Sequence, residues 1–351
     1  MVVICGGGII GTSIAYYLAK RGVVSTVVDR VGICPAASGK AGGFLALDWN
    51  DGGPVGPLTR KSFELHAFLA EELNARTDYR RLTCQAISVT GGSRGPPKQA
   101  KLQGVEWADL GLVGSRPLGD ESTIAQVHPK LLGEALWAEA AKAGCKLRIG
   151  QVDGVERSEG RVVGVSVDGE VIPTDKVVIA MGPWSDLASE WLGIPRTYGQ
   201  KYHSVLMKPE RVLSQAVFFQ GASDPEVYPR PDGTVYVTGF PDPPGPVREN
   251  PGEVEVRADV VAKLTKSMTL VSSELGNAPV VLEQSCYLPC SPDGDPIIGA
   301  VPNLVGAYVA TGHSCWGILN APATGLAMSE LIIDGHAASV DLTAFSPSRF
   351  G

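Results

Sequence analysis

The sequence predicts an α/β fold in which a parallel-sheet domain is interleaved with a mainly antiparallel-sheet α+β domain. Three observations carry that expectation. The chain opens on an apolar run, Val2–Cys5, followed by a glycine-rich turn, a helix-period stretch and a second apolar run, the pattern of a β-α-β unit. Two further buried-strand runs, Val177–Ala180 and Tyr308–Ala310, lead into glycines at Gly182 and Gly312, where a doubly wound sheet places its ligand. Between them, residues 201–239 are strand-rich and turn at Asp232-Gly233 as a hairpin does.

The 351 residues suit two domains, or one with a large insertion. A hydrophobic fraction of 44% can bury a sizeable core, and 43 glycines with 26 prolines suit many short elements rather than a helical bundle. The net charge of −7 and the lack of a basic run argue against nucleic acid and anionic membrane as partners. No apolar stretch reaches the roughly 18 residues of a membrane span. The seven cysteines form no Cys-x-x-Cys pair and the five histidines are isolated, so neither a disulfide framework nor a metal site is expected. Reduced thiols and the absence of a visible signal peptide point to an intracellular, cytoplasmic setting, or to an organelle reached by a cleaved transit peptide. The sequence carries no signal for oligomeric state.

Each element follows from local chemistry. Val2–Cys5 leads into Gly6-Gly7-Gly8-Ile9-Ile10-Gly11, which fits G-x-G-x-x-G. Ile10, Ile14, Tyr17 and Leu18 then repeat at helical spacing until Gly22, and Ser25–Val28 forms a second strand ending on Asp29 and Arg30. This is the Rossmann-like dinucleotide fingerprint. Gly6 permits the tight turn, Gly8 lets a pyrophosphate approach the backbone, and Gly11 lets helix and strand pack closely. The first-turn amides around Ile9 and Ile10 offer free N–H groups and a partial positive charge. Asp29 can accept both hydroxyls of an adenosine ribose. The motif alone does not choose between NAD(P) and FAD. A second small-residue loop, Ser38-Gly39-Lys40-Ala41-Gly42, suits a cofactor that runs on past its pyrophosphate.

Further along, Leu65, Leu69 and Leu73 mark a helix over residues 58–74, and Tyr79 to Thr90 alternates as a strand before a loop at residues 91–97. Val127-His128-Pro129 opens a helix. Residues 203–207, 216–219 and 234–237 read as strands, 241–251 as a proline-rich loop, 254–275 as partly helical, and about 321–333 as an apolar helix.

Several separated motifs together resemble the D-amino acid oxidase family of FAD-dependent oxidoreductases, a group that includes glycine, sarcosine and fructosyl amino acid oxidases. They are the N-terminal fingerprint, the Ser38–Gly42 loop, Val127-His128-Pro129, the run from Val177 to Ser185 with Ala180, Gly182 and Trp184, and the block Ser291–Gly299 followed by Thr311-Gly312-His313 and Gly317-Ile318. The resemblance implies FAD, with Val152, Gly299, Gly312, Gly317 and Ile318 added to its contacts. It also implies a discontinuous FAD-binding domain (1–75, 125–195, 286–351) around a substrate domain (76–124, 196–285).

The implied reaction is oxidation of a C–N bond to an imine by hydride transfer to flavin N5, with O2 as the usual acceptor. The partners are then a small amine or amino acid derivative and O2 or another acceptor. Lys40, Tyr228, His313 and Trp316 are the candidates for substrate contact. Two departures narrow this reading. Leu288 stands where many relatives place a carboxylate-binding arginine, so simple D-amino acids are expected to be poor substrates unless Lys40, Lys201 or Arg230 replaces it. The hairpin Val235–Gly239 lacks the lysine that the sarcosine-oxidase branch links to oxygen activation, which leaves a dehydrogenase with another acceptor, or a low-turnover flavoprotein with a binding or trafficking role, as rival readings. Counting back from Pro292 reaches Cys286, the position of the covalent flavin thiol in sarcosine and fructosyl amino acid oxidases. Cys290 and Cys315 are nearby alternatives.

Overall fold

A computed structural model describes residues 1–73, 75–89, 105–221 and 224–351. The expected loop at 91–97 lies outside the described residues, as do Asn74 and Thr90. Val2–Cys5 forms strand β1, Ile9–Lys20 helix α1 and Ser25–Asp29 strand β2. β1 is fully buried and pairs in parallel with β2 on one side and with the strand Lys176–Ile179 on the other. A strand flanked on both sides and covered on both faces must be apolar throughout, which is why Val2–Cys5 shows no alternation. The six-stranded sheet continues through Ala307–Thr311 to an antiparallel edge strand, Ile297–Ala300, and on the β2 side to Lys146–Ile149.

The second large sheet has seven strands, in the order Val280–Cys290, Tyr198–Met207, Val235–Gly239, Glu226–Pro229, Gln215–Gln220, Thr83–Val89 and Leu112–Gly119. All its pairings are antiparallel except that between Gln215–Gln220 and Thr83–Val89. One face of this sheet packs Val205, Val217, Val227 and Val237 beneath the helix Ala258–Val271. The Asp232-Gly233 turn closes as expected, with the Gly233 amide donating to the Arg230 carbonyl at 3.0 Å.

The strand expected over 79–90 differs. It breaks at Leu82, so that Arg80–Arg81 pairs with Ile124–Gln126 while Thr83–Val89 joins the seven-stranded sheet. Alternation continues through the break because the segment changes partners without changing its extended backbone. All seven cysteines are unpaired. Among the described residues no helix is long and apolar enough to cross a membrane.

The closing helix, Gly317–Asp334, starts four residues earlier than its apolar pattern suggests and carries Pro322 inside. Proline has no N–H to give the Ile318 carbonyl. His66, from the helix Gly56–Glu72, supplies the donor: its Nε2 lies 3.0 Å from the Ile318 oxygen and 3.1 Å from that of Leu319. One turn earlier on the same helix, Ser62 Oγ accepts the Ala323 amide at 3.0 Å. Two side chains four apart thereby restore the ladder that the proline interrupts.

Candidate active site

The glycines of the first turn owe their places to close backbone approach. Gly6 has φ +113°, and a Cβ there would lie 2.2 Å from the Ala180 oxygen; one on Gly11 would lie 2.0 Å from the Gly6 oxygen. Gly8 caps α1 with no side-chain hydrogen bond of its own, and Ser38 Oγ accepts the Ile9 amide at 2.9 Å. The Ile10 and Gly11 amides have no helical carbonyl within reach, and Gly8, Ile9 and Ile10 line a cavity of about 1110 Å³, mouth included. Asp29 lines its rim with Arg30. The Asp29 carboxylate already accepts the amides of Gly7 (2.8 Å), Val31 (2.9 Å) and Gly32 (3.0 Å), so it shapes the turn after β2 as well as facing the cavity.

From this end the cavity passes Ile9, Ile10, Ser38 and Ala41, with Val152, Ala180, Gly182 and Trp184 along another wall, and reaches His313, Gly317 and Ile318. Trp184 is fixed by its indole N–H, which donates to the Glu249 carbonyl at 2.9 Å. The helix Gly317–Asp334 thus brings a second N-terminus to the same space. His313 is buried, with Nε2 3.1 Å from Thr324 Oγ1 and Nδ1 left without a partner; burial pushes its pKa down to about 3. A neutral imidazole with one uncommitted, buried nitrogen at a cavity wall is suited to hydrogen-bond a ligand.

Other residues singled out by sequence stand behind this surface. A Cβ on Gly39 would meet the Cys34 oxygen at 2.1 Å, and one on Gly42 the Tyr228 ring at 2.4 Å, so both are packing glycines. Gly312 (φ +76°) and Gly299 (φ +153°) sit at backbone bends against Ser291 and Pro347. Lys40 Nζ donates to the Ser285 carbonyl at 3.1 Å. Lys201 is paired with Glu249 at 3.0 Å, and Arg230 donates to the Ala41 carbonyl at 2.7 Å with its guanidinium over the Tyr236 ring. Each candidate replacement for the missing arginine is therefore already engaged. Tyr228 and Trp316 belong to an aromatic cluster beside the cavity. Cys286 lies within the strand Val280–Cys290, outside the cavity wall, and burial pushes its thiol up to about 11.

The wall also contains residues that the sequence did not mark for the cofactor, Met181, Pro183, Leu187, Pro251 and Ser314, together with Cys315, one of the alternative thiols. Only their proximity to Gly182 and His313 could have marked most of them. Pro251 comes from a distant loop and carried no signal.

Comparison with known proteins agrees with this geometry. The chain matches the family described as FAD dependent oxidoreductase over residues 1–331. A Schizosaccharomyces pombe protein described as an oxidoreductase is 31% identical over an alignment covering 99% of this chain and 97% of its own. Glycine oxidase of Geobacillus kaustophilus is 26% identical, covering 99% and 96%. A crystal structure of glycine oxidase from that organism superposes with a TM-score of 0.85 at 24% identity, covering 99% of this chain and 98% of that one. L-proline dehydrogenase from P. horikoshii follows the same fold, with a TM-score of 0.83 at 22% identity over 99% and 97%. With the fingerprint turn, the parallel sheet and the cavity between two helix N-termini in place, the chain belongs to the D-amino acid oxidase family of FAD-dependent oxidoreductases.

Proposed function

We propose that the chain oxidises a C–N bond of an amine or amino acid derivative to an imine. The observation that carries this reading is one continuous cavity that starts at the Gly6–Gly11 turn and ends at Leu288, Ser314 and Cys315 beneath the seven-stranded sheet. When bound, FAD supplies the acceptor for a hydride leaving the carbon next to nitrogen. The protein's part is to hold the cofactor, exclude water and position the donor.

In this reading Gly6, Gly8 and the α1 N-terminus hold the pyrophosphate, and Asp29 uses its remaining lone pairs for the ribose. Val152, Ala180 and Gly182 flank the cofactor. His313 Nδ1 and the first turn of the helix Gly317–Asp334 hold the ring end. The position of Cys286 behind the wall favours flavin held without a covalent bond, so acid precipitation is expected to leave the yellow colour in solution.

The acceptor is a separate question. Val235–Gly239 is a buried strand without lysine, and Lys40 and Lys201 are both tied to protein groups, which favours a dehydrogenase as the second reading. Anaerobic mixing of the FAD-loaded protein with a panel of amines and amino acids tests the reaction. Bleaching of the flavin by at least one donor is expected, and no bleaching by any would overturn it. Peroxide release on readmitting air separates an oxidase from a dehydrogenase.

A further inference from the structure

The face of the seven-stranded sheet that looks toward the cavity carries an acid with no cation beside it. Residues directly opposed across strands share a face, and the register aligns Phe218, Glu226, Thr238, Ser204 and Gln284 in one row. Gln284 fixes the direction of that face, because its Nε2 donates to the Lys40 carbonyl at 3.0 Å, in the loop beside the cofactor cavity. The opposite face is the valine layer sealed beneath Ala258–Val271. Glu226 therefore points toward the cavity side.

Its surroundings are aromatic. The Tyr228 hydroxyl donates to Glu226 Oε2 at 2.5 Å, and the Tyr228 ring stacks on Phe44 at 5.2 Å between centroids. Phe218 stands edge-on to both, at 5.7 and 5.5 Å. Trp49 lies 5.2 Å from Phe218 and 6.2 Å from Trp316. Phe44, Trp49, Phe218 and Trp316 remain partly exposed while packing against the buried Tyr228 and Tyr236, so the cluster shows aromatic surface at the margin of a core. The Glu226 charge is felt by Tyr202 and by Cys315, and Cys315 is itself a wall residue of the cavity. Burial pushes the Glu226 carboxyl up, and among the described residues no Lys or Arg forms an ion pair with it.

A half-buried carboxylate without a counter-charge, beside aromatic faces, repels an anion and attracts a cation from both directions: Coulomb attraction from the acid and cation–π attraction from the rings. Leu288, on the same sheet face two residues beyond Cys286, adds apolar wall and no positive charge. We propose that Glu226, walled by Phe44, Trp49, Phe218, Tyr228 and Trp316, is the charge anchor of the substrate chamber and selects cationic amines that carry no carboxylate. The proposal rests on the amine-oxidising reading above and names the substrate class for that site.

The test uses FAD-loaded protein and two ligands of similar size that cannot be oxidised there, benzyltrimethylammonium and benzoate. Binding is followed by calorimetry and by perturbation of the flavin spectrum. The cation is expected to bind more tightly than the anion, and Glu226→Gln to weaken the cation by roughly tenfold or more, with Glu226→Asp recovering part of the loss. Tighter benzoate binding by the native protein, or cation affinity unchanged in Glu226→Gln, overturns the anchor. The native comparison stands even if the variant does not fold. In the same preparation, putrescine and N-methylbenzylamine are compared with glycine, sarcosine and D-alanine as anaerobic reductants. Cation preference with no reduction by any compound leaves the anchor standing and defeats the amine-oxidising reading. Faster reduction by the three amino acids keeps that reading and defeats the anchor.

Discussion

His313 and His66 are each fully buried with Nε2 engaged and Nδ1 unpartnered, and burial pushes their pKa values down to about 3 and about 4. In the unfolded chain both return to about 6.5. Below that pH the unfolded state takes up protons that the native state refuses, so their contribution to stability is complete above about pH 6.5 and is lost as pH falls toward 4 and 3. The slope is about 1.4 kcal/mol per pH unit for each histidine. The imidazole resonances of both residues are expected to stay fixed between pH 5 and 8, and a titration near 6.5 at either would refute their burial as neutral rings. At the level of single residues the sequence was informative where backbone chemistry is at stake: Gly6, Gly8 and Gly11 are marked by spacing alone, and at Gly6 and Gly11 the neighbouring backbone leaves no room for a Cβ. Glu226 was not legible. A lone acid in an alternating strand looks like a solvated position, and the rings around it come from Phe44, Trp49, Phe218 and Trp316, far apart in the chain.

The closing helix shows how one element depends on another for its hydrogen bonds. Pro322 removes an amide donor, and Ser62 and His66 act on the ladder on either side of it. His66→Ala leaves buried carbonyls without a donor at a cost of roughly 1–3 kcal/mol, plus a cavity term. Pro322→Ala returns an N–H to the Ile318 carbonyl, so the double variant is expected to lose less than the sum of the single changes. A double-mutant cycle on urea midpoints measures that coupling, and strict additivity would show that the two residues do not share the carbonyl. Element types were largely readable from periodicity, because the buried strands are short apolar runs and the helices repeat at 3.6. The break at Leu82 was not, since pairing with two different sheets leaves no trace in an alternating pattern.

Across the whole molecule, the cavity is built from segments separated by most of the chain. β1 lies between β2 and Lys176–Ile179, and the wall at Thr311–Ile318 rests on a strand, Ala307–Thr311, near the other end of the sequence. On the cofactor placement proposed above, a dinucleotide meets no complete site until these distant strands have paired. Refolding from urea with FAD present is expected to recover far-UV circular dichroism before flavin fluorescence is quenched, and simultaneous recovery would mean that the β1–α1–β2 unit binds alone. The separation of these walls has a consequence for the protein's supply as well as its assembly. A ligand that binds the finished fold and nothing earlier lowers the free energy of that state by mass action. The amount of this enzyme a cell retains would then follow its flavin supply, with scarcity felt first as faster proteolysis of opened chains.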